Sequence, residues 1–416
     1  RLSKVVPGTL SLSVAAQATR HEDNDGAGTW EINGACNLGQ SVYNGVHIRN
    51  GTTRFEFDPQ GLQLSNTKLT FDYSDYFLRD RHGGPLTTEL DLEHLHYDPE
   101  NETTEIVNLQ GRAWPGPLLR IADHGTAEYI EGLLGFRELP TLKASGHFDH
   151  SEDGTDTLIN INIENPGVTD YEFLGKALQL RGFSAKITSK TGHHDISDLK
   201  FQTFRGSGAG ALTVEENPQG KTLIEGGIRW DNMSLSEIGQ KFSFEKEALG
   251  TITGRMDFRT FAGDTGSLNG KGVIGLKNGQ LFNVPIFGPL SLPLGTILGK
   301  EYSHEQARDA SATFVVKDGA VFTKDLVTST PSTTFVGEGF IDLSEDEMDL
   351  TMRMNARGLL GLMTLPLAPL RGLFQFRGQG PLKQPVWRSA PFTAPDEGES
   401  HPIFKDPPRA QIIPER

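Results

Sequence analysis

The 416-residue chain contains one cysteine, Cys36, and four scattered tryptophans, Trp30, Trp114, Trp230 and Trp387. A single thiol excludes an intrachain disulfide and any cysteine-based metal cluster, so an oxidising compartment is permitted and not required. Basic residues are outnumbered, with 39 Lys and Arg against 54 Asp and Glu for a formal charge of −15. That acidity works against nucleic acid as a partner, because phosphates would be repelled, and against a polybasic membrane patch. No apolar run reaches the ~18 residues of a transmembrane helix, and no signal peptide is visible. The chain opens on Arg1, not methionine, and reads as a fragment or processed product, which leaves room for an anchor or signal outside it.

Catalytic signatures are also scarce. There is no G-x-S-x-G elbow, since the GSGAG at 206–210 has no serine at its centre, and no H-E-x-x-H pair for a zinc peptidase. The acidic run from His21 to Gly26 lacks the ligand spacing of a calcium loop. His94 and His96 share a strand face and are candidates for metal ligation together with His147 or His150. Without convergence known from spacing they read as exposed histidines, and no metal or cofactor is expected. Three N-x-S/T sequons begin at Asn50, Asn101 and Asn232 and matter only in a eukaryotic secretory setting. Gly270, Gly272 and Gly275 spell G-x-G-x-x-G, but neither a helix nor an acidic residue at the right distance follows them. The stretch reads instead as a strand over 272–276, a hairpin turn at Asn278-Gly279 and a returning strand from Gln280.

What the sequence does have is glycine, 48 residues of it, and period-2 alternation, with a hydrophobic fraction of only 36% and a mean hydropathy of −0.38. Phe55 and Phe57 alternate with Arg54 and Glu56. Ile159, Ile161 and Ile163 oppose Asn160 and Asn162, and Met348, Leu350, Met352 and Met354 oppose Asp349, Thr351 and Arg353. Such segments are antiparallel-type strands, wet on one side. Asn-Gly and Asp-Gly pairs at 33, 44, 50, 153, 278 and 318 read as turns between them. The fold class expected is all-β, as a sandwich, a barrel or a long meandering sheet, with few helices. One helix is expected near 116–135 and one after Ser234, where Glu237 stands at capping-box distance. Two apolar, proline-containing segments, 284–299 and 358–374, are too short to span a membrane and read either as buried short helices plugging the ends of a sheet or as segments that contact lipid or cover an apolar groove.

The second half resembles a known family. GSLNGKGVIGLKNGQLFNVPIFGPL, then ASATFVVKDGAVF with TTFVGEGFIDL and an alternating strand, and finally RGQGPLKQPVW follow the order of elements in the C-terminal region of AsmA-like proteins. The likeness extends over 250–392, and GFRELPTLKASGHFD and FRGSGAGALTV match long-chain relatives such as TamB more loosely. The resemblance implies a long, twisted and curved, mostly antiparallel sheet with an apolar groove. It also implies a non-enzymatic envelope protein of the periplasm, anchored to the inner membrane by a segment absent from this chain. Its partners would be phospholipid or another acyl lipid and membrane proteins of the envelope, and its role outer-membrane biogenesis. A glycan-binding or glycan-cleaving envelope β-protein is the alternative. The domain plan expected is a β region with one helix over 1–150, a middle β region over 151–250, the AsmA-like region over 251–392 and a proline-rich tail over 393–416. The groove-lining residues expected are Phe314, Val316, Phe335, Ile341, Leu343, Leu350, Met352, Met354, Phe374 and Phe376. The methionines among them suit acyl chains of varied packing.

Overall fold

The computed structural model describes residues 11–22, 28–43, 46–72, 87–113, 134–151, 156–173, 176–216, 220–243, 248–290, 308–329, 333–356 and 374–391. The fold is all-β. Twenty-two strands belong to one antiparallel sheet that does not close, and α1 (Leu235–Lys241) is the single α-helix among the described residues. Most of the helix expected near 116–135, the segment 291–299, most of 358–374 and the tail from 393 lie outside the described residues, and the last two positions of that helix, Leu134 and Gly135, are strand instead.

The chain divides into two compact units, Arg1–Thr203 with Ala211–Glu216, and Phe204–Gly210 with Asn217–Arg416. Unit 1 begins with β1 (Leu12–Glu22), β2 (Gly28–Leu38), β3 (Ser41–Tyr43), β4 (Val46–Asp58), β5 (Gly61–Asp72) and β6 (Thr87–Asp98). It continues with β7 (Thr103–Arg112), β8 (Leu134–Phe136), β9 (Thr141–Asp149), β10 (Leu158–Phe173), β11 (Lys176–Lys190) and β12 (His193–Thr203). The strand β13 (Gly206–Glu216) is divided between the units. Unit 2 then holds β14 (Thr222–Ser234), α1, β15 (Thr251–Phe261), β16 (Asp264–Lys277), β17 (Asp309–Lys317) and β18 (Ala320–Ser329). It ends with β19 (Thr333–Asp342), β20 (Glu347–Ala356), β21 (Gln375–Pro381) and β22 (Val386–Ala390). Most neighbours in sequence are neighbours in the sheet, so the architecture is a meander built from local hairpins.

Bulges interrupt these ladders where asparagine or aspartate stands inside a strand. Asn66, Asn108, Asp198 and Asn232 all have φ between 50° and 53°, and the registers slip at 106/109 and 230/233. Short polar side chains tolerate this left-handed conformation, and each bulge adds local twist. Asn165-Pro166-Gly167 makes another bulge within the 16-residue β10. There the Asn165 side chain accepts from Gly167 N at 3.1 Å and donates to Thr169 Oγ1 at 2.9 Å, so both buried polar groups are satisfied.

The turn at Asp318-Gly319 forms as expected, with φ of 50° and 79° and Lys317 paired to Ala320. The one at Asn278-Gly279 does not make a hairpin. β16 runs from 264 to 277, Asn278 takes φ 51°, and the chain enters two 3-10 turns, Leu281–Asn283 and Gly288–Leu290. Asn33-Gly34 lies inside β2, and Asn50-Gly51 inside β4, because continuous pairing on both sides outweighs the local turn preference. Gly270 and Gly272 sit on the face of β16 that carries Met256 and Phe314, and the Phe314 ring lies over Gly272. A Cβ at 272 would collide with that ring, which is the structural use of the glycine pattern.

α1 starts at Ser234, whose hydroxyl accepts from Glu237 N at 3.4 Å. The reciprocal half of the capping box is absent. Glu237 pairs with Arg205 at 2.6 Å instead, and Ser234 N donates to Phe204 O.

Candidate functional site

Directly paired residues of neighbouring strands point to the same face of a sheet, so the registers sort unit 1 into rows. One row runs Leu69–Leu90–Gly111–Leu142–Ile163–Ala185 and is mostly buried. The next runs Gly34–Phe55–Leu64–Leu95–Ile106–Gly146–Ile159 and is half-buried. The one after it runs Ile32–Phe57–Leu62–Tyr97 and reaches solvent, with Phe57 46% exposed. These rows share one face, apolar throughout and graded from closed to open.

Among the described residues, the exposed large hydrophobic side chains of unit 1 are Leu12, Val14, Trp30, Phe57, Tyr97 and Phe173, and by register and alternation all six stand on this face. A random scatter of surface hydrophobics would divide between two faces, whereas a single-sided patch marks a surface built to be covered. Tyr171 lies on the same face, and burial pushes its phenol up from the ordinary value. The reverse face carries the row Asn33–Glu56–Gln63–His96–Glu105–His147 and the Lys68–Asp91 pair at 3.7 Å, so it is hydrated.

Unit 2 is built on the same alternation with a different outcome. Gly339–Leu350–Gly378–Trp387 form one row and Gly337–Met352–Phe376 the next, with Phe335 opposite Met354. The 3-10 segment places Leu281, Phe287 and Leu290 on this stripe, and one buried cluster results. Of the ten residues expected to line a groove, Phe335, Leu350, Met352, Met354 and Phe376 are inside that cluster, none more than 4% exposed, with Ile341 and Phe374 packed against it. Val316 is buried between Gly270 and Val321, Phe314 covers Gly272, and Leu343 is 38% exposed. The stripe is thus continuous and apolar, as the alternation implied, and its central part lies beneath a lid made by residues 281–290. The outer face of the same strands holds Glu338–Arg353 at 2.6 Å and Asp349–Arg377 at 2.8 Å.

The open surface is therefore in unit 1, among strands whose alternation was legible but which carried no site expectation. The signal available was the repetition of Phe55/Phe57, Leu62/Leu64 and Ile159/Ile161/Ile163 in consecutive strands. Of the four candidate histidines, His94, His96 and His147 share the polar face, whereas His150 lies beside Phe148, ring centroids 6.4 Å apart, and meets Thr104 Oγ1 at 2.8 Å. Among the described residues no helix is long and apolar enough to cross a membrane. No family model, curated protein or solved structure matches the chain.

Proposed function

We propose that this protein binds acyl lipid on the apolar face of unit 1 and acts without turnover, as an envelope protein facing the periplasm. The observation that carries the reading is that the six exposed large hydrophobics found among the described residues of unit 1 all lie on one face, backed by half-buried and then buried apolar rows. An acyl chain needs a continuous apolar track with no direction-specific hydrogen bonding, and a sheet face supplies it. Phe57, Tyr97, Leu62 and Leu95 would contact the chains at the open edge. The resemblance of 250–392 to AsmA-like proteins supports the same reading, with phospholipid as cargo, an inner-membrane anchor outside this chain, membrane proteins of the envelope as partners and outer-membrane biogenesis as the process.

The test is native mass spectrometry of the gently purified chain, alone and as Phe57→Glu and Tyr97→Glu. Both side chains are exposed, so the variants should melt with the parent while losing copurified phospholipid. A parent that carries no lipid and takes up none from vesicles defeats the proposal. Saturable binding on a glycan array in its place would favour the glycan-binding alternative.

A further inference from the structure

We propose that β1 is a docking edge for a second copy of this chain, pairing antiparallel with β1 of the partner about a two-fold axis. Among the described residues β1 pairs with β2 alone, in an unbroken register from Leu12↔Leu38 to Glu22↔Gly28. Gly39 N donates to Ser11 O at 2.8 Å, and the same register continued by one residue sets Ser11 opposite Gly39. Hydrogen-bonded pairs recur at every second residue of an antiparallel ladder, so Ser13, Ala15, Gln17 and Thr19 point their backbone N–H and C=O groups at β2. Those of Leu12, Val14, Ala16, Ala18, Arg20 and Glu22 point to the open side. Every residue from Ser11 to His21 is exposed. Natural sheets blunt such an edge with proline, lysine, a bulge or a short strand. The last strand of unit 2 is blunted in this way, since β22 has five residues, carries Arg388 and stands between Pro385 and Pro391. β1 has eleven residues, with no proline, lysine, bulge or positive φ among them. An edge so long and regular is a template for another strand.

Charge and symmetry select the occupant. The chain carries a formal charge of −15, and an edge made for a foreign protein would steer it with part of that charge. In β1, however, Arg20 and Glu22 cancel, and two acidic copies repel least where they are locally neutral. A two-fold axis at Gln17 pairs the whole strand, with Ala16 opposite the partner's Ala18 and Val14 opposite the partner's Arg20, so no like charges meet. Hydrogen bonds are then exchanged between outward-pointing groups only, and the closed pair leaves no copy of this edge free for a third chain. Opposed residues share a face, so Leu12 and Val14 carry the apolar face of unit 1 across the junction. The pairing rests on the backbone edge and not on what that face binds.

The experiment is sedimentation velocity on the purified full chain over a concentration series, with hydrogen exchange resolved to single amides of β1. One strand pair is small beside the about 1,200–2,000 Å² of a stable interface, so a reversible monomer–dimer equilibrium is expected. Salt should strengthen it by screening the repulsion of two acidic bodies. The amides of Val14, Ala16 and Ala18 should exchange fast in dilute solution and slowly in concentrated solution, while those of Ala15 and Gln17, bonded to β2, stay slow in both. Ala16→Pro removes an outward N–H and none from the β1–β2 ladder. It should melt with the parent and weaken dimerisation by more than about tenfold, because the pair loses two hydrogen bonds. Gln17→Lys and Gln17→Glu, at an exposed position on the axis, should each weaken dimerisation by setting like charges face to face, and an equimolar mixture of the two should restore it. These two variants keep the test decisive if Ala16→Pro fails to fold. A parent that stays monomeric at every concentration overturns the proposal. So do outward amides that are slow even in dilute solution because another segment of the chain covers them, protection that needs a different protein, or dimers indifferent to both Gln17 charges.

Discussion

The Trp387 indole N–H donates to the Ile286 carbonyl at 2.8 Å, fastening the last hairpin of unit 2 to the 3-10 segment that covers its apolar stripe. The ring of Trp387 lies over Gly378 and beside Phe287, centroids 6.4 Å apart, so one side chain fills the space over a glycine and satisfies a lid carbonyl. Trp387→Phe keeps an aromatic ring and orphans that carbonyl, a loss of about 1–3 kcal/mol. Trp387→Ala should cost about 3–5 kcal/mol. Urea unfolding of the two variants measures each loss, and a Trp387→Phe variant as stable as the parent would show that the hydrogen bond contributes nothing.

Leu350 and Met352 are 1% and 0% exposed in the same cluster. Leu350→Asp and Met352→Glu should each destabilise unit 2 by about 3–5 kcal/mol, because an uncompensated charge is buried. This contrasts with Phe57→Glu and Tyr97→Glu on the open face of unit 1, which should leave the melting temperature near that of the parent. Stable, folded Leu350→Asp protein would mean that the lid over the stripe opens readily.

The turn between β12 and β13 places Phe204 and Arg205 at φ 49° and 57°. Two consecutive left-handed residues are the requirement of a type I′ hairpin, normally met by Asn-Gly. Arg205→Gly removes strain of roughly 1–2 kcal/mol and loses an exposed ion pair to Glu237 worth at most about 1 kcal/mol. A net rise in unfolding free energy is the expected result, read from the denaturant midpoint.

His193 faces two accepting carboxylate oxygens, Glu215 Oε1 at 2.6 Å from Nδ1 and Asp195 Oδ1 at 3.1 Å from Nε2. The hydrogen bond to Glu215 raises its pKa most, burial opposes it as the next largest effect, and the hydrogen bond to Asp195 with the charges of both carboxylates leaves the pKa raised. A raised folded-state pKa adds stability that is fully present below the unfolded value of about 6.5 and disappears as pH rises through the folded value. Stability of unit 1 should therefore decline across that window, and His193→Gln should flatten the decline. NMR titration of the His193 ring checks the direction independently.

Asp349 follows the opposite sign. Hydrogen bonds from Arg377, then from Gln379, hold its carboxyl below the usual range. The stabilisation is present above the unfolded value of about 3.9 and lost as pH falls through the folded one. Arg377→Gln should move the Asp349 titration upward in carbon-detected NMR and make unit 2 less resistant to acid.

Alternation in segments such as 159–163 and 348–354 was enough to determine strand identity, antiparallel character and which side chains share a face, because a strand's side chains alternate whatever it pairs with. The same local logic placed the Asp318-Gly319 turn and the Ser234 cap. It failed at Asn33-Gly34 and Asn278-Gly279, since a turn preference of one dipeptide yields to ladders on both sides or to packing of the following residues. Tertiary structure alone decided which apolar face is open. The stripe at Phe335, Leu350 and Met352 and the rows at Phe57 and Leu62 have the same pattern in sequence. They differ because residues 281–290 fold back onto the first, held by Trp387, a residue 101 positions from its partner. Burial depends on what packs above a side chain, and that neighbour is set by long-range chain geometry, which no local period encodes.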